Sequence, residues 1–187
     1  LYYGVGSSSI SSTTSKAFPL SDVGKNGWYG SGSSWRYFWG GSPLRDTWRF
    51  IGGRWYYFST DGYAVTGWRT IDGDTYYFNS SCQMELGKWV NYSGSTWRYL
   101  HPSGIMARSQ WVMSDGAWYW IGSSGSMARN EIVWVGSRPY YFGKSGIMQV
   151  GWQQPYGDGD WMYFDPVSGA GAIGWKRVGG IWYYFDD

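Results

Sequence analysis

A phrase of about twenty residues, opening on Trp and closing on a run of aromatics, recurs along most of this chain and leaves few folds open to it. Trp28, Trp48, Trp68, Trp89, Trp111, Trp152 and Trp175 each begin such a phrase. The wide gap after Trp111 hides one more unit, because Ile132 through Pro139-Tyr140-Tyr141-Phe142 aligns with Trp48 through Trp55-Tyr56-Tyr57-Phe58. Eight units result, beginning near residues 27, 47, 67, 88, 110, 131, 151 and 174, the last cut off after its second strand. A fixed period of this length marks stacked supersecondary units, none of which can bury its apolar face alone.

Each unit reads as strand, tight turn, strand. Gly52-Gly53, Asp72-Gly73, Asp115-Gly116 and Gly179-Gly180 supply the positive φ that two-residue hairpins require. Ser/Gly stretches at 30–34 and 157–160 are expected to lengthen two hairpins. A second turn follows, as at Asp61-Gly62 and Ser103-Gly104, usually with an apolar residue two positions later, as in Met84, Met106, Met127 and Met148. Cys82 takes the glycine slot of that turn, and His101 a turn slot held elsewhere by Ser59 and Asn79. Rings rather than aliphatics must build the core: 16 Trp, 18 Tyr and 8 Phe make up over half of an apolar fraction of 43%. Thirty Gly weigh against long helices, at about 1 kcal/mol each relative to Ala. The fold class expected is all-β, a solenoid of stacked β-hairpins over 27–187, with the Ser/Thr-rich residues 1–26 a linker or divergent cap.

Several function classes fall away. Fifteen basic and 13 acidic residues, scattered and netting +2, lack the basic footprint of a nucleic-acid binder. One Cys and one His leave no zinc set, so neither metal nor cofactor is expected. No apolar run approaches the about 18 residues that span a membrane. No signal peptide is recognisable, and the chain reads as part of a longer precursor. Of close carboxylates, Asp72 with Asp74 and Asp158 with Asp160 flank hairpin glycines, where turn chemistry explains them better than a glycosidase acid/base pair. Catalysis is therefore not expected here, although a catalytic domain can lie elsewhere in the parent polypeptide.

The functional signal lies in two slots. The slot of Tyr57 is aromatic in all eight units, which suits packing. The slot of Tyr56 is interrupted by Arg36, Arg98 and Met162. Arg98 follows the unit in which Thr75 replaces the second Trp, Met162 follows the unit carrying Ile132 and Pro139, and Arg36 follows no complete unit. Tyr is thus kept only where the preceding unit offers both Trp rings. Paired losses point to a shared cavity at each junction, made of two Trp from one unit and one Tyr from the next. Three electron-rich faces favour a cation without hydrogen-bond donors, such as a quaternary ammonium, at about 0.5 to 2 kcal/mol per face. That gives millimolar to high-micromolar sites, about 4 to 6 kcal/mol each, which repetition converts into retention by avidity.

The phrase Gly67-Trp68 through Tyr76-Tyr77-Phe78, with Trp48, Trp55-Tyr56-Tyr57-Phe58 and Gly146 through Trp152, resembles the choline-binding, or cell-wall-binding, repeats of Gram-positive surface proteins and murein hydrolases. The resemblance covers 27–187. It implies a non-catalytic module, secreted and attached to the bacterial cell surface, that anchors its parent by binding choline or phosphocholine on teichoic or lipoteichoic acid. Carried over by position, the complete cages are Trp28, Trp35 and Tyr56; Trp48, Trp55 and Tyr76; Trp89, Trp97 and Tyr119; Trp111, Trp118 and Tyr140; and Trp152, Trp161 and Tyr183. Leu44, Met106 and Met127 are expected as apolar floors of the first, third and fourth. The Thr75/Arg98 and Pro139/Met162 junctions depart from the pattern and are not expected to bind. A homodimer through a terminal repeat is compatible with this reading. A glucan-binding repeat module and a structural or adhesin stalk remain the alternatives.

Overall fold

The computed structural model describes residue 22, residues 24–157 and residues 159–186. The expected linker or cap lies almost wholly outside the described residues, as does Asp158. The chain divides into two compact units, one ending at Val65 and the other beginning at Thr66.

The first unit holds β1 (Gly27–Ser31), β2 (Ser34–Trp39) and the two-residue β3 (Ser42–Pro43), followed by β4 (Thr47–Ile51) and β5 (Arg54–Phe58). The second holds the hairpins β6 (Gly67–Ile71) with β7 (Asp74–Phe78), β8 (Lys88–Ser93) with β9 (Thr96–Leu100), β10 (Gln110–Ser114) with β11 (Ala117–Ile121), and β12 (Glu131–Val135) with β13 (Arg138–Phe142). After β14 (Met148–Gln149) come β15 (Gly151–Gln153) with β16 (Met162–Phe164) and β17 (Gly174–Val178) with β18 (Ile181–Phe185). Among the described residues, all eight hairpins are antiparallel and put the opening Trp, or Ile132, opposite the Tyr57-type residue, as in Trp48 opposite Tyr57 and Trp111 opposite Trp120.

Turn chemistry sets that register. Asp72 and Gly73 adopt φ of 51° and 92°, so both central residues are left-handed, as the twist of a two-residue hairpin demands. The first hairpin departs from expectation, because Ser31 pairs with Ser34 around a two-residue turn and is not lengthened. The stretch near 157 does separate β15 from β16 by a longer connection.

A further layer of backbone bonds explains how hairpins stack. The residue two past each second-turn glycine pairs back onto its own hairpin, as Met106 does with Leu100 and Met127 with Ile121. The same residue donates its N–H to the carbonyl of the second-Trp slot one repeat earlier: Ala64 to Trp35, Met106 to Thr75, Met127 to Trp97 and Gly171 to Pro139, all at 2.8–2.9 Å. In these four places the repeat thereby fixes its register against the one before it.

The core runs along the last position of the aromatic run. Phe38, Phe58, Phe78, Leu100, Ile121, Phe142 and Phe164 are all 2% exposed or less. Burying such a side chain is worth about 1.5 to 3 kcal/mol. The Tyr57 slot, expected to pack, is half-buried except at the exposed Tyr184, and lays its ring against the opening Trp at 5.0–5.3 Å between centroids, edge-on or tilted.

Candidate functional site

Because side chains alternate along a strand, the opening Trp and the Tyr56-type residue project from facing strands toward the junction between repeats. In the first unit, Trp28 of β1 and Tyr56 of β5 stand 4.8 Å apart at 61° between ring planes. In the second, Trp89 and Tyr119 stand at 4.9 Å and 61°, Trp111 and Tyr140 at 4.8 Å and 76°, and Trp152 and Tyr183 at 4.9 Å and 71°. Each pair forms a corner of two steeply inclined aromatic faces.

The second Trp of the repeat supplies another wall. Trp118 stands 6.2 Å from Trp111 at 84°, and Trp55 stands 6.5 Å from Trp48, also at 84°. Trp55, Trp97, Trp118 and Trp161 are all exposed, which is unusual for so large a ring and unnecessary for folding. Trp111, Trp118 and Tyr140, with Met148, Val167 and Ser168, line a cavity of about 290 Å³. Trp152, Trp161 and Tyr183 line another of about 490 Å³ with Tyr184 and Phe185. Trp48 and Trp55 border a third, of about 540 Å³, with Trp39, Arg49 and Phe50. Tyr76, the remaining member expected with Trp48 and Trp55, belongs to the other compact unit. Burial raises the Tyr76 phenol, with Asp74 and Asp72 adding to the effect, so its ring stays neutral at physiological pH.

The walls of the Trp111 cavity carry no ionisable carboxylate or amine. What they offer a ligand is ring quadrupole and a polarisable thioether, a combination that attracts diffuse positive charge and gives strongly hydrated ions little in return. Its rim is held by a carboxylate one step removed. Asp165 Oδ1 accepts from the Ser168 and Val167 amides and from Ser168 Oγ, and these bonds hold the Asp165 carboxyl at about 2, below the ordinary 3.8.

The apolar floors fall one repeat later than expected. Met127, whose N–H donates to the Trp97 carbonyl, packs against the same buried cluster as Trp89, Tyr99 and Tyr119, the third set rather than the fourth. Met106 lies instead with Trp68 and Tyr77, and Met148 lines the fourth set. Leu44 donates its N–H to the Tyr37 carbonyl, one position past the floor slot, while Ala64 is the residue bonded beside Trp35. The physical reason is the stacking bond described above, which carries the floor residue of one repeat back to the second Trp of the preceding one. Met148, Ala64 and Ser168 are site neighbours that the sequence pattern alone does not assign. The signal for Met148 was available, since it follows the hairpin that supplies Tyr140.

The departing junctions are built differently. Thr75 is buried, its hydroxyl 3.2 Å from that of Thr70. Pro139 and Met162 border a wider cavity of about 720 Å³ together with Ile132 and Trp134. His101 sits in its turn, its N–H bonded to the Ile105 carbonyl. Cys82 is a buried thiol at φ 61°, and burial pushes its pKa up.

Residues 65–111 and 132–173 match one choline-binding repeat family, 105–146 a second, and 46–64 and 173–187 a putative cell wall binding repeat. Comparison with curated protein sequences gives no match. Among solved structures, CbpJ from Streptococcus pneumoniae TIGR4 is 34% identical with a TM-score of 0.71, over 87% of this chain and 56% of that one. Choline binding protein F from Streptococcus pneumoniae is 30% identical with a TM-score of 0.68, over 81% and 53%. The modular autolysin LytC from Streptococcus pneumoniae, solved with a synthetic peptidoglycan ligand, is 30% identical with a TM-score of 0.64, over 86% and 37%. The chain spans little more than half of the first two and about a third of the last. Period, hairpin register, stacking bonds and family matches agree: the chain belongs to the choline-binding repeat family of cell-wall-associated modules, built as a solenoid of β-hairpins.

Proposed function

We propose that this module anchors its parent protein to the bacterial cell wall by caging choline of teichoic acids between aromatic residues of adjacent repeats, and that it does so without catalysing a reaction. The observation that carries the reading is the Trp111, Trp118, Tyr140 and Met148 cavity, an uncharged corner of inclined rings open to solvent. A trimethylammonium group seated there meets three π faces and displaces only loosely held water. The sets at Trp28, Trp89 and Trp152 repeat the same Trp–Tyr corner. Sites of about 4 to 6 kcal/mol hold choline weakly one at a time. A polymer bearing many cholines is retained because the second and later sites bind at high effective concentration. Export and surface attachment of the parent follow from this role.

Titrating the chain with choline and, separately, with an isomalto-oligosaccharide while following Trp fluorescence tests it. Saturation by choline in the high-micromolar to millimolar range, with no response to the glucan, is expected. Saturation by the glucan alone, or by neither, overturns it.

A further inference from the structure

Trp68 opens the third repeat, yet the space before its ring is taken. The Tyr slot of the following repeat holds Arg98, on β9. Its guanidinium carbon lies 5.1 Å from the Trp68 centroid and 3.5 Å from that of Tyr92, and those two rings stand 6.1 Å apart at 65°. At the Trp89, Trp111 and Trp152 junctions the slot carries a Tyr that turns its ring to the opening Trp and leaves a corner open.

Three departures from the repeat meet at this point. Arg98 replaces a Tyr. Thr75 replaces the second Trp, and is itself buried, its hydroxyl accepting from Arg108 Nη2 at 3.3 Å. Tyr92 is the extra residue of a β-bulge between Asn91 and Ser93, the one break in the register of β8 with β9. A bulge re-aims a side chain. Here the ring of the bulged residue covers the guanidinium. Arg98 Nε is buried and has no hydrogen-bond partner among the described residues. Arg tolerates this because its planar, delocalised cation is weakly hydrated and stacks on rings.

We propose that Arg98 is a built-in occupant of the Trp68 face: its guanidinium takes the seat that a choline headgroup takes at the complete cages, and it is the residue that closes this junction to ligand. What is excluded rests on the choline reading above, whereas the intrachain seat does not. The Trp68 junction is thereby bridged by the chain's own cation.

Two measurements on the full chain test this separately. Without ligand, the Arg98 side-chain protons are expected far upfield from ring currents, and the shift collapses in Tyr92→Ala. Random-coil shifts for Arg98 overturn the seat. With 5-fluorotryptophan labelling, choline is expected to move the Trp111 resonance but leave that of Trp68 unmoved. In Arg98→Ala the Trp68 resonance responds, at a midpoint about 2- to 30-fold above that of Trp111 for one missing face. In Arg98→Lys, which keeps a cation and guards against a folding artefact, it stays silent. A Trp68 response in the parent, or silence in a folded Arg98→Ala whose Trp111 still responds, overturns the proposal. Silence of every Trp defeats the choline reading instead, and the ring-current measurement then decides the seat by itself.

Discussion

Replacing Trp118 isolates the contribution of one cage wall. Its ring stands 6.2 Å from Trp111 at 84° and is 42% exposed, so it closes the cavity without belonging to the buried core. A cation face is worth about 0.5 to 2 kcal/mol, which corresponds to about 2- to 30-fold in affinity. Trp118→Leu keeps apolar bulk but removes the quadrupole, whereas Trp118→Phe keeps a weaker π face. The expected order of choline affinity is parent, then Phe, then Leu, with Leu losing most of that range. Fluorine NMR of Trp111 reads the fourth site, and Trp152, in a separate cavity, serves as the internal control. Its midpoint should not move. Leu and Phe variants that bind choline as tightly as the parent, with the fold intact by circular dichroism, would refute the role of the ring face.

Two further outcomes concern the scaffold. Phe142→Ala removes a side chain that is fully buried and should cost about 3 to 5 kcal/mol by urea unfolding, whereas Trp134→Ala, at 54% exposed, should stay within about 1 kcal/mol. Equal costs would contradict the placement of the core. Asp165 has a folded pKa of about 2, below its ordinary 3.8, so its contribution is present above about pH 4 and is lost as pH falls toward 2. Asp165→Asn should therefore flatten the loss of thermal stability across that window, and an unchanged pH profile would count against the carboxylate holding the rim at Ser168.

How much of this was legible in the sequence depends on what the sequence repeats. Hairpins are local, so Gly-Gly and Asp-Gly turns with their aromatic strands announce them directly. The Trp–Tyr pairing across repeats was legible for a different reason: Thr75 with Arg98, and Pro139 with Met162, are lost together. Geometry that depends on backbone bonds between repeats was not. Nothing in the spelling of Met127 says that its N–H reaches the Trp97 carbonyl, and the floor assignment slipped by one repeat for that reason. Gly32 and Ser33 resembled an insertion because serines and glycines surround them, yet they are the hairpin turn itself. Tyr92 and Arg98 could be recognised as departures, but only coordinates bring the guanidinium between two rings.

Binding of choline set against 3,3-dimethylbutan-1-ol, which has the same shape with carbon in place of the charged nitrogen, tests most directly whether ring faces select a cation. Three faces at about 0.5 kcal/mol or more each require choline to bind about tenfold tighter or better. Equal affinity of the neutral isostere, read at the Trp111 resonance, would show that these junctions are ordinary apolar clefts.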